Sequence, residues 1–264
     1  MGTFFSKAAR KVNWLGVGVI VGVLALWQLV VSTRMLYYEA LPDPSGIFSA
    51  LKYLVNSGLL WPQLEHTLEC ALKAWVIAVA IGGLVGLLMG LSGTVAAWTT
   101  ATVNVFRSLP VVVMIPIAIL VWGPGTKAEV LLGAYAALWP MLVNTAAGVR
   151  GIPPRLRDVS STLRLSRVAS VRKIVVPFTG GAMLVGARLA LTVALVICVV
   201  SEMLGLQAGI GNALVLEQSA DQPARMWAYV LIVGALGIAL NAALVTLVDV
   251  AFPGVSALTR RSVQ

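Results

Sequence analysis

The chain has 264 residues, 59% of them hydrophobic and 11% charged, with a mean hydropathy of +0.94 and a net charge of +9. A soluble domain is about 45–50% apolar and about 25% charged, so these proportions exclude a soluble globular protein and indicate a polytopic membrane protein. The basic surplus is not a nucleic-acid footprint, because most Lys and Arg residues sit in the termini and one interior loop, where membrane topology places them.

Taken in order, Lys7, Arg10 and Lys11 precede an apolar run from about Val12 to Val31, long enough to cross a bilayer core. The run is too long for a signal-peptide core and lacks a small-x-small cleavage site, so it reads as an uncleaved first span with a cytoplasmic N-terminus. Gly16, Gly18 and Gly22 have neither the dinucleotide-binding spacing nor a preceding strand, and read as helix-packing positions. Residues 33–62 are polar enough for an outer loop, with a short helix from Ser45. A second span is expected from about Leu64 to Leu91, where Gly82, Gly86 and Gly90 recur every four residues and suit tight helix contact. After a turn at Ser92-Gly93, a third runs from about Val95 to Trp122, interrupted by Arg107-Ser108-Leu109-Pro110 and by Pro116. A fourth is expected over about Val130–Val149 and a fifth over about Gly180–Val200, the latter with Ala182, Gly186, Ala190 and Ala194 as a small-residue stripe. Residues 203–225 read as an outer loop and about Met226–Val248 as the sixth span, with Arg260-Arg261 closing the chain inside. The expected fold is therefore all-α, with six transmembrane helices in a single domain over 1–264 and both termini cytoplasmic.

Between the fourth and fifth spans lies the one long polar segment, Asp158 to Arg167, which continues through Lys173 to Pro177. Arg150, Arg155, Arg157, Arg164, Arg167, Arg172 and Lys173 place it on the cytoplasmic side. Pro153-Pro154 stops the preceding helix, and Pro177 ends the polar part before the fifth span. As a helix, the segment puts Val159, Leu163 and Ser166 on one stripe with Arg164 and Arg167 turned away. Being too short to span, it must lie against the membrane surface or against another protein.

Several chemistries are missing from the sequence. Gly125-Thr126-Lys127 is only a fragment of a phosphate-binding loop, no serine sits in a nucleophile elbow, and acidic and histidine ligands do not cluster along the chain. Cys70 and Cys198 fall in apolar runs and read as reduced core residues, without a disulfide framework. His66 is the only histidine, which argues against a histidine-based metal site. Polar residues inside spans are costly and often mark a pathway. Arg188, Glu202, and the helix-breaking set Arg107, Pro110 and Pro116 are the pathway candidates, although Arg188 also reads as a packing residue and Glu202 as a structural hydrogen bonder. Arg188 and Glu202 lie about 21 Å apart along one helix and cannot pair with each other. Asn241 in the sixth span reads as a bond between helices.

The polar segment resembles the EAA loop of binding-protein-dependent ABC importer permeases, whose pattern is roughly E-A-A-x-x-x-G, nine residues, then I-x-L-P. Asp158 stands at the Glu position, Val159-Ser160 at the alanines, Arg164 at the glycine, and Ile174-Val175-Val176-Pro177 at the end. Thr162-Leu163 and Ser166-Arg167 are similar to the T-L-G-A-S-R version of the nitrate, sulfonate, taurine and bicarbonate group. Arg107-Ser108-Leu109-Pro110 through Ile115-Pro116 to Gly123, Pro140 with Asn144, Gly148 and Arg150, Gly186-Ala187-Arg188, Ser201-Glu202-Met203 and Gly209-Ile210-Gly211 are similar to further stretches of that group. The resemblance covers about residues 64–248.

The resemblance implies a type I ABC importer-like permease in a bacterial plasma membrane, working as a pair of permease copies, identical or paralogous. Its partners would be two copies of an ATPase subunit, a periplasmic or lipid-anchored solute-binding protein, and membrane lipids. ATP and Mg would be used by the ATPase, with no cofactor bound by this chain. The loop over 150–177 would couple to the ATPase through Asp158, Val159, Thr162, Leu163, Arg164, Leu165, Ser166 and Arg167. Arg164 departs from the pattern's glycine, which permits a sharp turn, so the expectation for this chain is a helix continuous across Arg164 whose guanidinium meets an acidic group. The solute would be a small anion that Arg107 or Arg188 could attract. The rivals are a stand-alone secondary transporter or channel, which usually carries more intramembrane carboxylates or an internal repeat, and a membrane scaffold, which needs neither a broken helix nor a coupling loop.

Overall fold

The computed structural model describes residues 14–33, 40–156 and 162–251, and all regular structure among them is helical. Asp158 and Val159 lie outside the described residues, as do Lys7, Arg10, Lys11, Arg260 and Arg261. The helices are α1 (Trp14–Ser32), α2 (Pro44–Asn56), α3 (Leu60–Leu91), α4 (Gly93–Arg107), α5 (Val111–Trp122) and α6 (Thr126–Arg150), followed by α7 (Arg167–Ser170), a π-helical stretch (Val171–Val175), α8 (Val176–Met203), α9 (Ile210–Ser219) and α10 (Pro223–Ala251). Five helical segments are long and apolar enough to cross a membrane, and α4 with α5, counted as one broken span, gives the expected six.

Most differences from the expected boundaries trace to proline. The second span starts at Leu60 rather than Leu64, because Pro62 falls in the first turn, where a missing N–H costs nothing. Pro177 does not end a segment: helix runs on through it from Arg167 to Met203. The π-helical stretch just before Pro177 widens the turn and gives the ring room. Pro116 does not interrupt the third span either, since it lies inside α5. The break falls at residues 108–110 alone, where α4 and α5 meet at 85°. At about 22 and 18 Å, the two halves are each too short to cross a bilayer core of about 30 Å. Pro110 has no N–H to continue the helix, and the Phe106 carbonyl accepts from Leu109 N at 3.2 Å and from the Tyr135 hydroxyl at 2.6 Å. The outer loop expected over 203–225 contains a helix, α9.

The core is the α3–α6–α8 triplet. The broken span returns the chain so that α3 and α6 run parallel, while α8 runs antiparallel to both. Close approach depends on small residues, as the four-residue stripes suggested. A Cβ on Gly82 would stand 2.7 Å from the Leu138 carbonyl oxygen, and one on Gly86 would stand 2.5 Å from that of Leu142. On the other side of α6, a Cβ on Gly148 would stand 2.7 Å from Cβ of Ala182. Cys70, Ala71, Ala74, Ala78, Ala137, Ala190, Ala194 and Cys198 fill the seam, all with no exposed surface. Trp75 Nε1 donates to the Ala187 carbonyl at 2.9 Å and ties α3 to α8.

The remaining elements pack around this triplet. α1 has no buried residue and is latched at one end. There Gln28 Nε2 donates to Asp43 Oδ2 at 3.0 Å, Ser45 N donates to Gln28 Oε1 at 3.1 Å, and Trp27 meets Trp227 edge-on. The hydrogen bonds from Ser45 and Gln28 hold the Asp43 carboxyl below the usual carboxylate range. Substituting Gly86 by Ala forces backbone apart and is expected to destabilise the protein by about 1–3 kcal/mol. Gly234→Ala, where a Cβ meets nothing within 4 Å, is expected to be neutral or slightly stabilising. Thermal unfolding of the two variants in detergent checks the contrast.

Candidate functional site

At the end of the bundle away from Arg150 and Lys173, a short loop leads from α8 into α9 and is held by side chains of α3 and α8. Three successive amides at the start of α9 each find a side-chain acceptor. Gly209 N donates to Gln63 Oε1 at 2.8 Å, Ile210 N to Thr67 Oγ1 at 2.9 Å, and Gly211 N to Glu202 Oε2 at 2.8 Å. Thr67 then donates its own hydroxyl to Glu202 Oε1 at 2.7 Å. Thr67 and Glu202 are fully buried. The carboxyl thus sits at the positive end of α9 and satisfies the Gly211 amide, which has no partner inside the helix. Gly209 has φ 96°, and a Cβ there would stand 2.1 Å from Glu202 Cδ, so glycine is required for conformation and for space. Of the two readings the sequence allows for Glu202, pathway or structure, this geometry is that of the structural one. The partners Gln63 and Thr67 were missed, being ordinary polar residues more than 130 positions away.

Beside this knot, His66 and Cys70 on α3 meet Glu129 from the first turn of α6. His66 Nε2 stands 3.0 Å from Glu129 Oε2, and Cys70 Sγ stands 3.8 Å from His66 Nε2. Glu129 is fully buried and its Oε1 has no hydrogen-bond partner. Acidic and histidine ligands that do not cluster along the sequence therefore cluster in the fold.

The other pathway candidates occupy separate places. Arg188 Nε donates to Asn241 Oδ1 at 2.9 Å, which joins α8 to α10 as expected for Asn241. The two residues line a groove of about 520 Å³ with Val185, Thr192, Val196 and Gly237. The remaining N–H groups of Arg188 have no partner among the described residues. Arg107 ends α4 and lines a smaller cavity of about 190 Å³ with Asn104, Thr100 and Arg150. Pro110 caps the start of α5.

At the basic end, the expectation of a helix continuous across Arg164 is not met. Leu163 and Arg164 form a turn, Leu165 and Ser166 are irregular, and α7 begins at Arg167. Arg164 has φ 45°, the left-handed conformation suited to the glycine of the EAA pattern. The tertiary path overrides the residue's preference, at a cost of about 1–2 kcal/mol. Ser166 Oγ accepts from Ala169 N at 3.3 Å and starts the next helix. Leu163 and Val168 are 63% and 78% exposed, so two apolar side chains stand uncovered among basic residues.

A bundle with a broken third span, a charged groove and a turn-bearing basic segment defines a membrane permease. Residues 78–257 match the family described as binding-protein-dependent transport system inner membrane component. The chain is 31% identical over 197 residues to the putative aliphatic sulfonates transport permease protein SsuC of Escherichia coli, covering 72% of this chain and 73% of that one. It is 28% identical over 198 residues to the nitrate import permease protein NrtB of Synechococcus elongatus, covering 71% and 70%. The fold is similar to that of a chain in a solved amino acid ABC transporter, with a TM-score of 0.60 at 19% identity, over 80% of this chain and 97% of that one. The chain belongs to this family: it is a multi-pass permease subunit of an ATP-driven ABC importer, not an enzyme, and its ATPase is a separate subunit.

The knot at Glu202 yields a direct prediction. Thr67→Val keeps the side-chain volume but strands a carboxylate oxygen and the Ile210 amide, at about 1–3 kcal/mol for each. The unfolding midpoint in detergent is expected to fall clearly in Thr67→Val and little in Thr67→Ser, which retains the hydroxyl.

Proposed function

We propose that this permease imports a small oxyanion and that Arg188 meets the solute within the membrane. The observation that carries the reading is the Arg188 guanidinium. It is fixed through Nε by Asn241 and lines a groove with its other donors unspent. A guanidinium presents paired N–H groups that match an oxyanion, and in a low-dielectric setting the attraction is little screened. The relatives named for aliphatic sulfonates and for nitrate, both oxyanions, support the same class. Arg107, Pro110 and Pro116 belong to the same pathway in this reading, contributed by the broken span, while Glu202 serves the structure.

Two copies of the permease, identical or paralogous, enclose the route. The basic end faces the cytoplasm, where two ATPase subunits bind ATP and Mg. A solute-binding protein, periplasmic or lipid-anchored, delivers the anion to the opposite end. Docking on the ATPase uses the segment from Asp158 and Val159 through Thr162, Leu163, Arg164, Leu165, Ser166 and Arg167. The exposed Leu163 and Val168 supply the apolar contact, and Arg164 pairs with an acidic group.

Uptake of labelled sulfonate or nitrate into proteoliposomes, with the ATPase and binding protein present, tests the pathway. Arg188→Gln is expected to lower uptake at least tenfold while the ATPase stays associated, about 1.4 kcal/mol or more; undiminished uptake rejects the assignment. Arg164→Gly separates side chain from backbone, because glycine fits φ 45° better than arginine does. The turn is expected to persist and ATPase affinity to fall about tenfold, about 1.4 kcal/mol; unchanged affinity rejects the pairing at Arg164.

A further inference from the structure

His66 and Cys70 stand one helical turn apart on the same face of α3, and Glu129 reaches them from α6. One ligand atom from each lies within 4.8 Å of the other two. His66 Nε2 stands 3.0 Å from Glu129 Oε2 and 3.8 Å from Cys70 Sγ. Around a tetrahedral zinc ion, nitrogen, sulfur and oxygen ligands stand roughly 3.4–3.6 Å apart, given bonds of about 2.0–2.3 Å. The two separations at His66 lie within about half an ångström of those values, and the third pair is within 4.8 Å.

An independent observation points to a cation. Glu129 is fully buried, its Oε1 accepts no hydrogen bond, and its only ion-pair partner among the described residues is His66. A buried carboxylate oxygen without a donor is costly, and a metal ion at this position satisfies it. The mixed nitrogen, sulfur and oxygen donor set suits zinc and its divalent transition-metal neighbours, and not calcium or magnesium, which take oxygen. The His66 side chain is 23% exposed, so the cluster is not sealed from the surface.

We propose that His66, Cys70 and Glu129 form a binding site for a divalent cation of the zinc class. The site joins α3 to the first turn of α6, directly after the broken span hands the chain to α6. Occupancy clamps those two helices at the end of the bundle away from the basic segment. The proposal is independent of which solute the permease carries.

Cobalt is the probe. The full chain, purified in detergent by a tag without histidine, is titrated with Co2+ in the Cys198→Ser background, where Cys70 is the only thiol. One Co2+ per chain is expected, with an intense thiolate-to-cobalt absorption band in the near ultraviolet that equimolar Zn2+ abolishes. Cys70→Ser in the wild-type background is expected to lose the band, and Glu129→Gln to weaken Co2+ binding at least tenfold, with elution profiles unchanged. Absence of the band from both the Cys198→Ser and wild-type chains overturns the proposal, as does its persistence in Cys70→Ser.

Discussion

A backbone amide buried in protein has no water to bond, and this constraint governs the parts of the bundle that are not regular helix. It is most acute at the start of α9, where three amides point into protein interior. Glu202, Thr67 and Gln63 answer them one each. The hydroxyl of Thr67 serves twice, accepting from Ile210 and donating to Glu202, so α3, α8 and α9 are locked through a single atom. A charge-assisted bond at a helix N-terminus is stronger than a neutral one. That strength matters where the chain must reverse within a few residues without solvent.

The same constraint explains the broken span. Pro110 lies at the break, where the chain bends by 85°, and Tyr135 of α6 adds its hydroxyl to Leu109 N as donors to the Phe106 carbonyl. The bend is thereby coupled to α6, the helix that packs on both α3 and α8. Between those three helices the contact is dispersion at close range, made possible by glycine and alanine rather than by large side chains. The charged groove at Arg188 and the uncovered apolar residues at the basic end lie on the outside of this packed core.

Much of this was legible in the sequence. The six apolar runs, the glycine and alanine stripes, the break near Pro110 and the bond of Asn241 all follow from local pattern, because membrane helices satisfy their own backbone and leave the side chains to report on packing. Proline misled where position mattered more than identity: Pro116 and Pro177 both lie within helical segments. Arg164 misled because propensity speaks against φ 45° for arginine, whereas the path of the chain demands it. The clusters around Glu202 and Glu129 were illegible for a different reason. Their members come from helices far apart in sequence, and the motif stretches at Glu202 and Gly209 do not say that Gln63 and Thr67 join them.

The account rests on this chain being one subunit of an ATP-driven importer, coupled through its basic end. The most direct test is to purify the tagged chain from its own membrane in mild detergent, identify what accompanies it by mass spectrometry, and assay uptake by the recovered complex in proteoliposomes. The account predicts an ATPase subunit and a solute-binding protein, with uptake that requires ATP. Recovery of the chain alone, with uptake driven by an ion gradient in the absence of any ATPase, would contradict it.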